Sequence, residues 1–467
     1  MKPIHLPTVA NRGNFDAIDP LDGRYYDAEV AQYLSERTRI AYQAYLEAAL
    51  AHTLADYGVC SREVAEEIEA ATAQVTAEDV QAEERVTKHD VKALGNCLKQ
   101  HVSDTAKPYV HFGATSYDIV VPASALQLRD AMQQVVLPRL KKLALTLANL
   151  TEQYADTLQI GRTHGQHAVP ITFGFALAGY TNRLGENILA LEDLTKSLPG
   201  KFSGAVGAYN ALSMFVDDPM EFERKVLEKV GLPVAAYSTQ IVPAEYTVRL
   251  LDELAISAGI MANLSHDMRH LQRSEIAEVR EKFEPGQTGS STMAHKRNPW
   301  NFENVVSMSK QVNAQLVNAQ LNLPSEHQRD LTDSASARFY LVVPASVASM
   351  AKRLNDIMGK IEVDEDAMRR NLLMSEGAIA AEPLYLLLAK HGHTQAHEKS
   401  KALAHEALEK GVPLVTIIEK DEEAFGYWQK FSDTEQKIIV APEMHYTGLA
   451  SKKAKQLASK WQQQFQS

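Results

Sequence analysis

Only two cysteines, Cys60 and Cys97, occur in 467 residues, so neither a disulfide framework nor a thiolate metal cluster is available to build a fold around. That usage fits a reducing compartment, and the cytoplasm is the expected location. Long apolar runs are equally scarce. Residues 1–14 hold no apolar stretch of secretory-signal length, and the longest uncharged apolar run, 339–351, is too short for a bilayer span and contains Pro344. Neither secretion nor membrane insertion is expected. Positive charge is in deficit: 48 Lys and Arg face 59 Asp and Glu, a net −11, which argues against a nucleic-acid polymer as partner. An anionic small ligand would have to meet locally concentrated cations. There is no HExxH pattern, no P-loop and no GxGxxG turn after a strand, so no metal and no cofactor are expected. Period-two alternation is rare outside short stretches such as 437–440, which points to an all-α fold.

What is present is an ordinary balance of 45% hydrophobic and 23% charged residues, on a chain long enough for roughly two to four domains. Apolar residues spaced by fours and threes form five long stripes. The first runs Met132, Val136, Leu140, Leu143, Leu147, Leu150 and Tyr154, and the second Leu177, Tyr180, Leu184, Ile188, Leu191 and Leu194. The third extends from Val248 through Leu251, Leu254, Ala258, Met261, Leu264 and Met268 to Leu271, and the fourth covers Val305, Met308, Val312 and Leu316. The most regular is Val343, Val347, Met350, Leu354, Ile357 and Ile361. Five such helices imply a central bundle over 119–366, between an N-terminal helical domain (1–118) and a C-terminal one (367–467) where Gly and Pro break the pattern. Helices of this length present more apolar face than a thin bundle hides, so a homo-oligomer is expected.

Five polar segments interrupt this pattern. The longest, 284–299, places Pro285, Gly286 and Gly289 before a run of hydroxyls at Ser290, Ser291 and Thr292, then Lys296, Arg297 and Asn298. This is a loop docking at a helix N-terminus, with proton-accepting and anion-stabilising groups gathered in nine residues. A solvated surface loop of the same composition is the plain alternative. GRTHGQHAVP at 161–170 sets His164 and His167 in a glycine-containing turn, where histidine suits proton transfer near neutral pH but serves equally as a helix cap. HFGATSYD at 111–118 supplies Thr115 and Ser116 at the start of a helix, where they could simply be N-caps. TKHDV at 87–91 and QRDLTDSASAR at 328–338 complete the set, the latter with Arg329, Ser334 and Arg338 suited to a phosphate.

The run GSSTMAHKRNP at 289–299 resembles the signature of the fumarase, aspartase and argininosuccinate lyase superfamily, and the 111–118 and 163–166 segments match its other motifs in the expected order. Within that superfamily, DGRY at 22–25, KHDV at 88–91 and QRDLTDS at 328–334 are similar to the adenylosuccinate lyase family, particularly its bacterial form. The resemblance implies a homotetramer with active sites shared between subunits and a cofactor-free β-elimination. Fumarate would leave adenylosuccinate, giving AMP, and the succinylated aminoimidazole carboxamide ribotide of purine synthesis. It further implies Ser290 as base and His164 as acid. Arg24, Tyr25, Arg329, Ser334 and Arg338 would meet the phosphate and ribose, with His89 and Asp90 on the nucleotide side. Thr115, Ser116, Gln240, Lys296 and Asn298 would hold the succinyl carboxylates, and Asn304 matches a further substrate-binding position. Two departures stand out: Ala294 and His167 replace prolines usual in the motifs. Ala294 should loosen the loop backbone. A lyase for argininosuccinate or a carboxymuconate, and a catalytically silent helical scaffold, are the competing readings.

Overall fold

The computed structural model describes residues 18–284, 286, 289, 291–293, 295–374 and 377–466. The five stripes become the five longest helices of the central region: Leu137–Gln153, Phe173–Lys196, Glu245–Leu271, Trp300–Leu321 and Val342–Met358. Spacing by fours and threes keeps an apolar residue on one side of each turn, and that side is the one excluded from water. Leu177, Leu184, Ile188, Leu191, Leu251, Leu254, Ala258, Val343, Val347 and Leu354 are all completely buried. Each buried Leu, Ile or Val contributes about 1.5–3 kcal/mol of transfer free energy. The first stripe begins in a π-helical turn, Met132–Val136, that runs on into Leu137–Gln153, and the last overshoots its helix, since Ile361 lies beyond Met358.

Two smaller apolar clusters stand apart in sequence. One gathers Ile40, Val64, Ile68, Leu94, Leu98 and Val110, and the other Leu384, Leu388, Leu403, Leu414, Ile417 and Phe431. Caps set the helix starts around them: Ser61 accepts from Val64 N at 3.3 Å, and Thr76 and Asp79 form a capping box ahead of Ala77–Thr87. The stretch 437–440, a short strand-like signal in the sequence, reads Lys-Ile-Ile-Val and lies in the helix Asp433–Val440. A capping box between Ser432 and Glu435 starts a helix there, and this local signal outweighs a β-branched run of three residues.

The chain forms two compact units. The first comprises residues 1–140, 187–259 and 307–352, and the second 141–186, 260–306 and 353–467. Every passage of the chain from one unit to the other falls inside one of the five long helices. The strands form two short antiparallel pairs: β1 (Leu158–Thr163) with β2 (Gln166–Thr172), and β3 (Val279–Arg280) with β4 (Glu362–Val363). Among the described residues, no single helix is long and apolar enough to cross a membrane.

Candidate active site

In the first unit, the 111–118 segment is pinned at both ends. At its front His111 adopts a left-handed φ of +62°, and the fully buried Glu47 takes its backbone N–H at 3.0 Å and faces its Nδ1 at 2.7 Å. Burial opposes protonation of that imidazole, but the Glu47 charge and hydrogen bond outweigh it and raise the His111 pKa above its ordinary value of 6.5. At its rear the fully buried Asp118 accepts from Thr115 N at 2.8 Å, Ser203 N at 3.1 Å and Gly204 N at 3.2 Å, and pairs with the equally buried Lys201. Thr115 and Ser116 therefore sit on a fixed corner where the helix Ser116–Ala131 begins.

Two other predicted segments meet that corner. Ser116 Oγ lies 3.4 Å from His89 Nε2, while His89 Nδ1 accepts from Lys92 N at 3.2 Å and so caps the helix Asp90–Gln100. Asp90 lies in that first turn, 3.7 Å from Arg39. Arg329 stacks 4.4 Å over the Tyr117 ring, donates to Tyr117 Oη at 2.6 Å and pairs with Asp333 at 2.9 Å. Its Nε is buried without a hydrogen-bond partner among the described residues. Gln240 joins the same stretch through its backbone N–H, which donates to Gln328 O at 3.2 Å. Arg24, Ser334 and Arg338 are exposed, and Tyr25, half-buried, closes a turn onto Pro20 O at 2.9 Å.

In the second unit, His164 sits at the tip of the β1–β2 hairpin. Thr163 pairs with Gln166, leaving His164 (φ +53°) and Gly165 (φ +73°) as a two-residue turn of left-handed backbone, the type I′ arrangement. The residue is thus neither a helix cap nor in a helix–helix loop. Alternating Leu158, Ile160, Val169 and Ile171 around a two-residue turn were the available strand signal. The register shifts at Gly161, where an added Cβ would stand 2.7 Å from Val169 O. His167 faces Arg162 across the ladder; burial first, then the Arg162 charge, lower its pKa.

Ser290 and Ala294 lie outside the described residues. Around them the signature loop is tied down by Asn298 Nδ2 donating to Gly289 O at 3.0 Å and Gln272 Nε2 donating to Arg297 O at 3.1 Å. A Cβ on Gly289 would collide with Lys296 O. Beyond the loop, buried Glu281 accepts from Asn301 N at 3.0 Å, Phe302 N at 3.1 Å and Asn301 Nδ2 at 2.8 Å, fixing the start of the helix that carries Asn304. Burial pushes the Glu281 carboxyl above its ordinary range against those hydrogen bonds. Lys296 and Asn298 line a cavity of about 920 Å³ together with Arg269, Arg273, Arg280 and Arg297. Its described lining residues do not include His164. The cavity is cationic and suits an anion. Among the described residues, no group of three His, Cys, Asp or Glu is placed to hold a metal ion.

The residues outside the motifs that hold these segments, among them Glu47, Lys201, Glu278 and Glu281, carry no sequence motif of their own. Left-handed φ at non-glycine residues would have been a pointer. It occurs at Lys88 (+55°), His111 (+62°), His164 (+53°) and His327 (+51°), each within or next to one of these segments, and at Tyr209 (+56°) and Ala277 (+55°).

Residues 22–314 match a family model described as lyase, and residues 325–424 one described as adenylosuccinate lyase C-terminal. The chain is 36% identical to the adenylosuccinate lyase of Pyrococcus abyssi, over 88% of this chain and 92% of that protein. To that of Archaeoglobus fulgidus it is 34% identical, over 94% and 98%. Among solved structures it superposes on a 3-carboxy-cis,cis-muconate lactonizing enzyme from Pseudomonas putida with a TM-score of 0.83 at 28% identity, covering 96% and 100% of the two chains. A fumarate lyase from a Mesorhizobium species, at 23% identity and a TM-score of 0.82, shares the fold over 93% and 98%.

Proposed function

The chain belongs to the adenylosuccinate lyase family, a carbon–nitrogen lyase that eliminates fumarate from adenylosuccinate to leave AMP, and on that footing we propose how its residues divide the chemistry. The second substrate is the succinylated aminoimidazole carboxamide ribotide. Elimination must remove a carbon-bound proton, stabilise a carbanion conjugated to a carboxylate and protonate the departing purine nitrogen. Ser290 takes the proton, His164 supplies one to the leaving nitrogen, and Lys296 with loop amides stabilises the intermediate charge. A serine hydroxyl is a poor base, so the loop must close and surround Ser290 with cationic and amide donors.

Thr115, Ser116, Gln240, Lys296 and Asn298 hold the succinyl carboxylates, and Arg329, Ser334, Arg338, Arg24 and Tyr25 the phosphate and ribose. His89 and Asp90 line the nucleotide side, and Asn304 completes the substrate contacts. The observation that carries the nucleotide assignment is Arg329, stacked on Tyr117 beside Thr115 and Ser116 with a spare buried donor. Proton transfer, orientation and charge stabilisation are all functions of side chains and backbone amides here, so no cofactor is invoked. The active protein is a cytoplasmic homotetramer whose sites combine segments of different subunits, a reading supported by the exposed Ile256, Val317 and Leu321 on two of the long helices and by free Cys60 and Cys97. The division into 1–118, 119–366 and 367–467 is supported by the self-contained apolar clusters at each end of the chain.

The direct test is ultraviolet absorbance of adenylosuccinate on mixing with the protein, with argininosuccinate run in parallel by fumarate release. Conversion of the nucleotide alone is expected, and cleavage of argininosuccinate alone would remove the nucleotide assignments. S290A and H164Q should each abolish turnover while AMP still binds. Loss of AMP binding together with loss of fold would count against both roles.

A further inference from the structure

Glu278 has no exposed side-chain surface, yet no substrate-binding motif includes it. Its carboxylate accepts four hydrogen bonds, filling both oxygens. Oε2 takes Gln159 Nε2 at 2.8 Å and Arg162 Nη1 at 3.2 Å; Oε1 takes Asn371 Nδ2 at 2.8 Å and the second Arg162 nitrogen. Asn371 also donates to Ile276 O at 2.8 Å. The backbone around Glu278 is fixed as well, since its N–H donates to Leu271 O at 2.9 Å and its carbonyl accepts from Asp364 N at 2.9 Å. A carboxylate and a guanidinium taken out of water to this degree cost several kcal/mol each before pairing, so the arrangement persists only because every lone pair is used.

Gln159 and Arg162 both belong to β1, and Arg162 stands two residues before His164. The tip beyond them is a turn in a backbone region that non-glycine residues avoid by about 1–2 kcal/mol, reached through the register shift at Gly161. Nothing in the turn's own preferences holds the imidazole in place: the region favours Asn, Asp or Gly at that position. We infer that Glu278 is a positioning residue for the reaction, clamping β1 through Gln159 and Arg162 so that the strained turn presents His164 at a fixed angle. The inference rests on the reading of His164 as the acid.

Glu278→Gln keeps the volume but replaces two acceptor oxygens by one and turns an N–H₂ toward donors. Misplacement of a catalytic group by about 1 Å costs about a hundredfold, so E278Q should lower kcat about ten- to hundredfold with KM nearly unchanged. Glu278→Asp, which keeps the charge at shorter reach, should recover part of that loss. Because the effect acts through His164, the double variant E278Q/H164Q should be no slower than H164Q alone when residual fumarate release is followed at high enzyme concentration. If E278Q does not fold, E278Q/R162Q, which removes both charges together, carries the same expectations. Wild-type kcat in E278Q, or losses that multiply in the double variant, overturns the positioning role. An H164Q enzyme as active as the wild type overturns the acid assignment, and this inference with it.

Discussion

Arg329 shows why a conservative substitution is not conservative here. A lysine would keep the charge but neither stack flat on Tyr117 nor donate in two directions, so Arg329→Lys should raise KM for adenylosuccinate about tenfold with kcat largely kept. An unchanged KM in steady-state assays would remove Arg329 from the phosphate site. His111 offers a different handle. Its folded pKa is raised, so the stability it contributes is complete below its ordinary value of 6.5 and is lost as pH rises through the higher folded value. The melting-temperature gap between the wild type and His111→Gln should therefore narrow as pH rises from 6.5, and a gap that stays flat would show that the pair with Glu47 does not titrate. Polar residues at the corner were legible because Thr115, Ser116 and Arg329 sit in unusual polar runs. Their supports were not. Glu47 lies 64 positions before His111, and Glu278 lies 119 after Gln159, so each reads locally as one more acidic residue on a helix or loop.

Helices and loops differ in how much of them a sequence declares. The five long helices were legible because a four-three repeat sustained over many turns has one structural solution, whereas the β1–β2 hairpin is marked only by a brief alternation on either side of a His-Gly turn. The same brevity misled at 437–440, where a cap decided for helix. Within the signature loop, Gly289 closes against the Lys296 carbonyl, and a methyl group there would force the two apart. Gly289→Ala should accordingly cut kcat at least about tenfold while leaving the melting temperature within about 2 °C, because a surface loop adds little to global stability. A parallel fall in melting temperature would mean that the loop is structural first and catalytic second.

Assembly supplies the remaining test. On the proposal that sites are shared between subunits, mixing inactive S290A and H164Q proteins under conditions that exchange subunits should restore measurable elimination, and persistent inactivity of a proven hybrid would mean that each chain carries a whole site. How chains combine was not legible from periodicity alone, since an apolar stripe does not say whether its cover is the same chain or another. The left-handed residues have a consequence for engineering. At Lys88, His111, His164, Ala277 and His327 the backbone favours glycine or asparagine, so selection of a library for heat resistance alone will enrich those residues and discard the enzyme. At position 164 the more robust turn and the proposed acid are mutually exclusive, and a thermostable catalyst will have to be found by improving the protein everywhere except there.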